Sequence, residues 1–159
     1  MKRLTSVVPA VMLAACALLV TTGADAKNQV LRPFKWSGEM VLAFNLTTFP
    51  NVAWEITEES GVGTHVGTYT CQGHGQANLL TGAFAGEGVL VAANGDALFF
   101  QMTQEAGAAG YTMIITGGTG RFAGASGLWH GATQLVERAQ VGPVLYVHSL
   151  TEGTGTLTY

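Results

Sequence analysis

The stretch Ile115–Gly127, reading ITGGTGRFAGASG, constrains the chain more than any other. Five glycines (Gly117, Gly118, Gly120, Gly124 and Gly127) surround a single Arg-Phe pair, between two runs that read as β-strands. Glycine reaches positive φ without strain, so such a cluster marks a wide, specifically shaped strand connection. It does not fit the glycine-rich motifs of nucleotide sites. Gly118-Thr-Gly-Arg-Phe-Ala-Gly124 has one residue too many for the dinucleotide fingerprint, and no helical period follows it. A Gly-Lys-Ser/Thr phosphate loop is missing as well. Ser126 lacks the flanking spacing and strand-to-helix context of a nucleophile elbow. The connection is a structural turn.

The rest of the chain agrees with a β architecture. No stretch holds a 3.6-residue apolar period for more than two turns, and most segments after Phe34 alternate. Phe34, Trp36, Met40, Leu42 and Phe44 share one parity, opposite Lys35, Ser37, Glu39 and Asn45. Val52–Thr57 reads as a second strand, closed off by Glu58-Glu59-Ser60-Gly61. Thr64–Cys71 is a third, and Ala77–Ala93 carries one or two more. Asn94-Gly95 is the strongest hairpin signal, since both residues tolerate the positive φ of a type I′ turn. Ala97–Thr103, Tyr111–Thr116, Leu128–Val136 and Val144–Leu150 follow, with Gly153–Leu157 closing the chain. A sheet with no helix to cover it removes its exposed edges by closing on itself. The expected fold is all-β: a single closed antiparallel eight-stranded β-barrel over residues 27–159. Phe122 is expected to plug one end, with Arg121 either solvated or paired with an acid.

Residues 1–26 read as a signal peptide. Lys2 and Arg3 precede an apolar run over Val7–Val20, and Ala24-Asp25-Ala26 offers a small-x-small cleavage site. Leu13-Ala14-Ala15-Cys16 also matches a lipoprotein box, which would anchor the chain at Cys16. Both readings place the protein outside the cytoplasm, secreted in the periplasmic or extracellular sense. After cleavage Cys71 has no partner for a disulfide. Five cations (Lys27, Arg32, Lys35, Arg121 and Arg138) then face nine acids, and no basic stripe for a nucleic acid is visible. The mature chain also shows no segment to span a membrane as a helix.

From Gly95 onwards the chain resembles plant allene oxide cyclases. Gly95-Asp96 is followed by a strand, a short loop, an aromatic strand and the motif Ile-Thr-Gly-Gly-x-Gly-x-Phe-x-Gly-Ala-x-Gly. Gln134-Leu135-Val136 and the strand around Tyr146 fall at comparable positions. Dirigent proteins carry a close variant of the glycine motif, and many secreted bacterial proteins pair it with the same Ala-Ala-Asn-Gly-Asp hairpin. The resemblance implies a barrel whose lumen binds a small apolar molecule and steers a cyclisation or isomerisation without a cofactor. It also implies assembly as a homodimer or homotrimer. A lumen glutamate of that family would sit at Glu39, and Cys71 is loosely comparable to a cavity cysteine.

Glu39 is therefore the candidate catalytic residue, and Tyr69, Cys71, Phe99, Trp129, Tyr146 and His148 are the candidate ligand contacts. Each has a plain alternative. Alternation of Glu39 with Lys35 and Ser37 is also what a solvent-facing strand shows, and aromatics mostly fill cores. His65, His74, His130 and His148 are scattered, with no close metal-ligand spacing on one strand, so no metal site is expected. An eight-stranded barrel is filled by side chains or holds one small ligand. The many Gly, Ala and Thr residues on the strands favour an open lumen. The alternative is a non-catalytic structural or interaction protein with a packed lumen.

Overall fold

The computed structural model describes residues 30–159; the leader, its cleavage site and Cys16 lie outside the described residues. Eight antiparallel strands follow one another around a closed barrel in chain order: β1 (Leu31–Asn45), β2 (Asn51–Gly63), β3 (Gly67–Asn78), β4 (Ala83–Ala92), β5 (Ala97–Gln104), β6 (Tyr111–Gly118), β7 (Ser126–Val141) and β8 (Val144–Thr158). β1 closes the ring by pairing with β8 along its whole length, from Leu31 opposite Thr158 to Asn45 opposite Val144. The expected all-β, eight-stranded closed barrel is observed. β2 runs well past Thr57, β3 starts at Gly67 rather than Thr64, and β8 absorbs Gly153–Leu157.

Strand parity sets inside from outside. On β1, Phe34, Trp36 and Met40 are buried while Lys35, Ser37 and Glu39 are exposed. Charged and polar side chains such as Lys35, Glu55, Gln101 and Glu152 stand on the outer wall. This is the reverse of a barrel that faces lipid, where the outer wall is the apolar one. Among the described residues no helix is long and apolar enough to cross a membrane.

The lumen is filled differently from the expectation drawn from its small residues. Several strand glycines do not open it; they leave room for a large side chain from another strand. Trp54 packs against Gly75 and Gly86, Phe100 against Gly88, Tyr111 against Gly131, Trp36 against Gly153, and Trp129 against Gly155. A Cβ at any of these glycines would overlap the ring. Phe34 and Trp129 stack with ring centroids 4.0 Å apart, and Trp36 lies 5.3 Å from Trp129.

The two ends differ. At the end holding Phe34 and Leu157, the glycine connection folds over the opening and Phe122 is fully buried, edge-on to Tyr159 at 5.1 Å. A short 3-10 turn, Gly120–Phe122, makes this plug. Arg121 Nε lies 3.5 Å from Asp96 Oδ2, which also accepts from Asn94 Nδ2 at 2.7 Å, so the hairpin and the plug are clasped together. Gly120 is required there twice over. Its φ is +56°, and a Cβ would collide with the Asp96 carboxylate. At the other end β6 is short and pairs with β7 only as far as Gly131. The outer half of β7, from Ala132, therefore bonds to β8 alone, and the β7–β8 ribbon overhangs an open mouth.

If rings seated on glycines hold the barrel, Gly86→Ala should cost about 1–3 kcal/mol through overpacking. Gly117, where a Cβ would meet nothing nearer than 3.7 Å, is the control. Gly117→Ala should stay within about 0.5 kcal/mol of wild type. Urea unfolding of both variants decides it, and equal midpoints would refute this packing scheme.

Candidate functional site

Among the described residues, two neighbouring spaces lie inside the barrel. The first is an apolar funnel of about 290 Å³ at the open end, walled by Leu42, Phe44, Trp54, Leu79, Phe84, Leu145 and Val147. Its few polar groups come from Gln104, Tyr111, Thr133 and Ser149. Behind it, in the middle of the barrel, lies a closed chamber of about 20 Å³ lined by Glu59, Tyr69, Cys71 and aromatic rings. That is room for about one water. Met40, Met102 and Tyr111 line both spaces and stand between them. Two of these three partitions are methionines, unbranched side chains that adapt their shape readily.

Glu59 is the carboxylate of this interior, and a bulge puts it there. The β1–β2 register shifts between Val41 and Leu42, so that Val41 faces Glu58 while Leu42 faces Ile56. Thr57 is the extra residue, and its insertion flips the parity of β2. Val52, Trp54 and Ile56 point inward before it; Glu59, Gly61 and Gly63 do so after it. The β2–β3 ladder is broken at the same place, between Glu55 and Ser60.

The Glu59 carboxyl accepts a hydrogen bond from the Tyr69 hydroxyl at 3.3 Å and has the Cys71 thiol as its other polar neighbour, which donates to the Gln72 carbonyl at 3.9 Å. Burial raises its pKa above the usual 4.5, and these two polar neighbours only partly oppose the shift. Burial likewise raises Tyr69, with the nearby Glu59 charge adding to it. It also pushes the Cys71 thiol well up, again helped by Glu59. Cys71 is therefore held as a neutral thiol, a poor nucleophile. Tyr111 is pushed up to about 12, chiefly by burial, and its hydroxyl pairs with Thr151 Oγ1 at 2.7 Å. The chamber is thus a set of neutral hydrogen-bond donors around one carboxyl, and it offers no nucleophile for attack on carbon. Its link to solvent is an outer groove at the wall break, lined by Glu39, Glu58, Ser60 and Thr70 and reaching Glu59 and Cys71.

The residues singled out from the sequence divide into two groups. Tyr69, Cys71 and Trp129 are buried lumen residues, and Trp129 donates its indole N–H to the Thr156 carbonyl at 3.0 Å. Glu39, Phe99, Tyr146 and His148 belong to the outer wall. Glu39 is corrected from lumen to surface because the two-residue period that buries Trp36 and Met40 turns it outward, with its side chain 69% exposed. His148 sits outside between Glu39 at 3.7 Å and Glu137 at 3.9 Å. Among the described residues no group of three or more His, Cys, Asp or Glu could hold a metal ion. Of the five motif glycines, Gly120 and Gly124 take positive φ, Gly118 and Gly127 allow close backbone approach, and Gly117 is unconstrained by neighbours. Sequence reasoning missed Glu59, Thr151 and the methionine partition. The signal for Glu59 was present in Gly61 and Gly63, the spaced glycines that resume the inward pattern after the bulge.

The wider concavities are on the outer wall. One of about 690 Å³ runs across β2–β6 past His74, Glu87 and Phe99, and lies open to solvent. It offers neither enclosure nor convergent polar groups, which a small-molecule site needs.

The raised pKa of Glu59 has a consequence for stability. The folded chain binds that proton more tightly than the unfolded one, so the contribution is fully favourable in acid. It declines as pH rises from about 4.5 through the folded pKa. Glu59→Gln should therefore melt at a higher temperature than wild type at neutral pH and converge with it in acid. Melting curves across pH test this, and a variant less stable at neutral pH than in acid relative to wild type would contradict it.

No protein-family model and no curated protein sequence matches the chain.

Proposed function

We propose that this protein is an exported barrel that binds one compact, mostly apolar molecule in the funnel at its open end. The observation that carries the reading is the funnel itself: an apolar space, open to solvent at one mouth and bounded at its inner end by Tyr111, whose hydroxyl pairs with Thr151. At about 290 Å³ it falls at the small end of ligand pockets, which start near about 300 Å³. That favours a short or monocyclic molecule over a long acyl chain. No charged side chain lines the funnel, which favours a neutral ligand. The indole N–H of Trp54, a funnel residue, is buried without an acceptor among the described residues. A ligand carrying a carbonyl or hydroxyl oxygen would answer that need.

A second reading, cofactor-independent isomerisation or ring closure, is favoured by one observation, the buried Glu59 carboxyl behind the methionine partition, whose pKa burial raises. Walls that fold a substrate lower the entropic cost of closure. A carboxyl whose pKa is raised by burial supplies a general acid near its working pH. The packed middle of the barrel favours binding over turnover, because ligand in the funnel meets Tyr111 first and Glu59 only if Met40 and Met102 move.

Titration with 1-aminoanthracene, a neutral fluorophore, tests the binding reading. Wild type should bind one equivalent saturably, and Val147→Trp, which fills the funnel from a half-buried position, should weaken binding at least tenfold with the fold intact. Equal binding by the variant, or none by wild type, would refute funnel binding. Glu59→Gln should leave this affinity unchanged. Loss of turnover in that variant, with binding retained, would identify the isomerase.

A further inference from the structure

The mouth of the funnel is ringed by four loops: residues 46–50, 79–82, 105–110 and 142–143. Together they contain one charged residue, Glu105, and no lysine or arginine. Three large apolar side chains stand out from this rim or its edge: Leu80 is 72% exposed, Val141 67% and Phe49 57%. Surface apolar residues scattered singly need no explanation, and the barrel exposes others along its wall and at the plugged end, Leu31 and Val62 among them; these three differ in flanking a mouth whose interior is itself apolar.

The polar groups of the rim are turned inward. Neighbouring loops are tied in series by backbone hydrogen bonds: Leu46 N to Pro143 O at 2.8 Å, Leu79 N to Pro50 O at 2.9 Å, and Gly107 N to Thr81 O at 3.0 Å. Side chains satisfy further loop amides. Asn45 Oδ1 accepts from Thr47 N, and Asn78 Oδ1 accepts from both Leu80 N and Thr81 N. The Gln104 amide donates to the Gly82 and Ala108 carbonyls. A loop whose amides bond within the protein loses little when water is removed, whereas an unpaired amide or charge costs several kcal/mol, by an order-of-magnitude reckoning. The opposite end is unlike this, since its loops carry the Asp96–Arg121 ion pair.

From these two observations, projecting apolar tips and a charge-poor rim with internally bonded polar groups, we infer that the open end docks on the surface of a lipid bilayer with neutral headgroups. Phe49, Leu80 and Val141 enter the interfacial region, and the funnel mouth then opens onto the acyl phase. Attraction to anionic lipid has no part in it, because the rim has no lysine or arginine to supply the charge. The barrel does not span the bilayer; it rests on it by one end. The inference goes beyond ligand binding and does not require it, since it is measured without any ligand.

The test is flotation of the purified protein with phosphatidylcholine vesicles, at low and high salt. Wild type should float, equally at both salt concentrations and no better when phosphatidylserine is added. The triple variant Phe49→Ser, Leu80→Ser, Val141→Ser should partition at least tenfold more weakly, with an unchanged circular dichroism melt. Should the triple variant fold poorly, Phe49→Trp provides a second readout: its emission should shift to the blue on adding the vesicles. Absence of flotation, flotation only with anionic lipid, or undiminished flotation of a folded triple variant would overturn the inference. So would a wild-type dimer in solution that the triple variant dissolves, which would assign the rim to a second copy of the chain.

Discussion

Large rings seated on bare backbone hold this barrel together. Eight strands enclose a space that side chains can fill, provided bulky and minimal residues face each other across neighbouring strands. Trp36 with Gly153, Trp54 with Gly75 and Gly86, and Trp129 with Gly155 follow this rule. The pairing explains why glycine is so frequent in strands, where it otherwise weakens the fold. Without a Cβ the strand gives up its own packing and receives a whole indole or phenyl ring in exchange. The rings also determine where space is left over. They crowd the middle and the plugged end, so the remaining volume gathers at the mouth.

The asymmetry of the ends follows from the two long connections of the fold. On one side the glycine motif crosses the opening and drops Phe122 into it, clasped by Arg121 and Asp96. On the other, early termination of the β6–β7 pairing leaves nothing to cross, and the β7–β8 ribbon rises past the rim. The motif that identifies the barrel most clearly therefore acts as a stopper, at the end away from the funnel. The interior carboxyl of Glu59 lies between the two ends, on a strand the motif does not touch.

Much of the fold was legible in the sequence because alternation is a direct imprint of a two-faced strand. The two-faced alternation of β1, the Asn94-Gly95 hairpin and the Phe122 plug all follow from local residue types. The interior acid did not. Glu58-Glu59-Ser60-Gly61 has the composition of a turn, so β2 seemed to end at Thr57. In fact the strand continues through a bulge at that very residue. One inserted residue exchanges the faces of everything after it. Glu39, with orderly alternation on a regular strand, was for that reason an outer residue, and Glu59, behind an irregularity, the inner one. The glycines misled in a similar way: their small size suggested empty space, but the side chain that fills it comes from the next strand, a pairing no single segment displays.

The overhanging ribbon carries a liability of its own. From Ala132 to Val141 one side of β7 has no strand beside it, a run of peptide groups able to accept another chain. Two features blunt it. The register breaks between Leu135 and Glu137, twisting the edge, and Glu137 and Arg138 place charge where a flat apolar run would invite addition. This irregular, charged stretch works as a gatekeeper. It lets the barrel keep a ladder half exposed while remaining a poor seed for fibres.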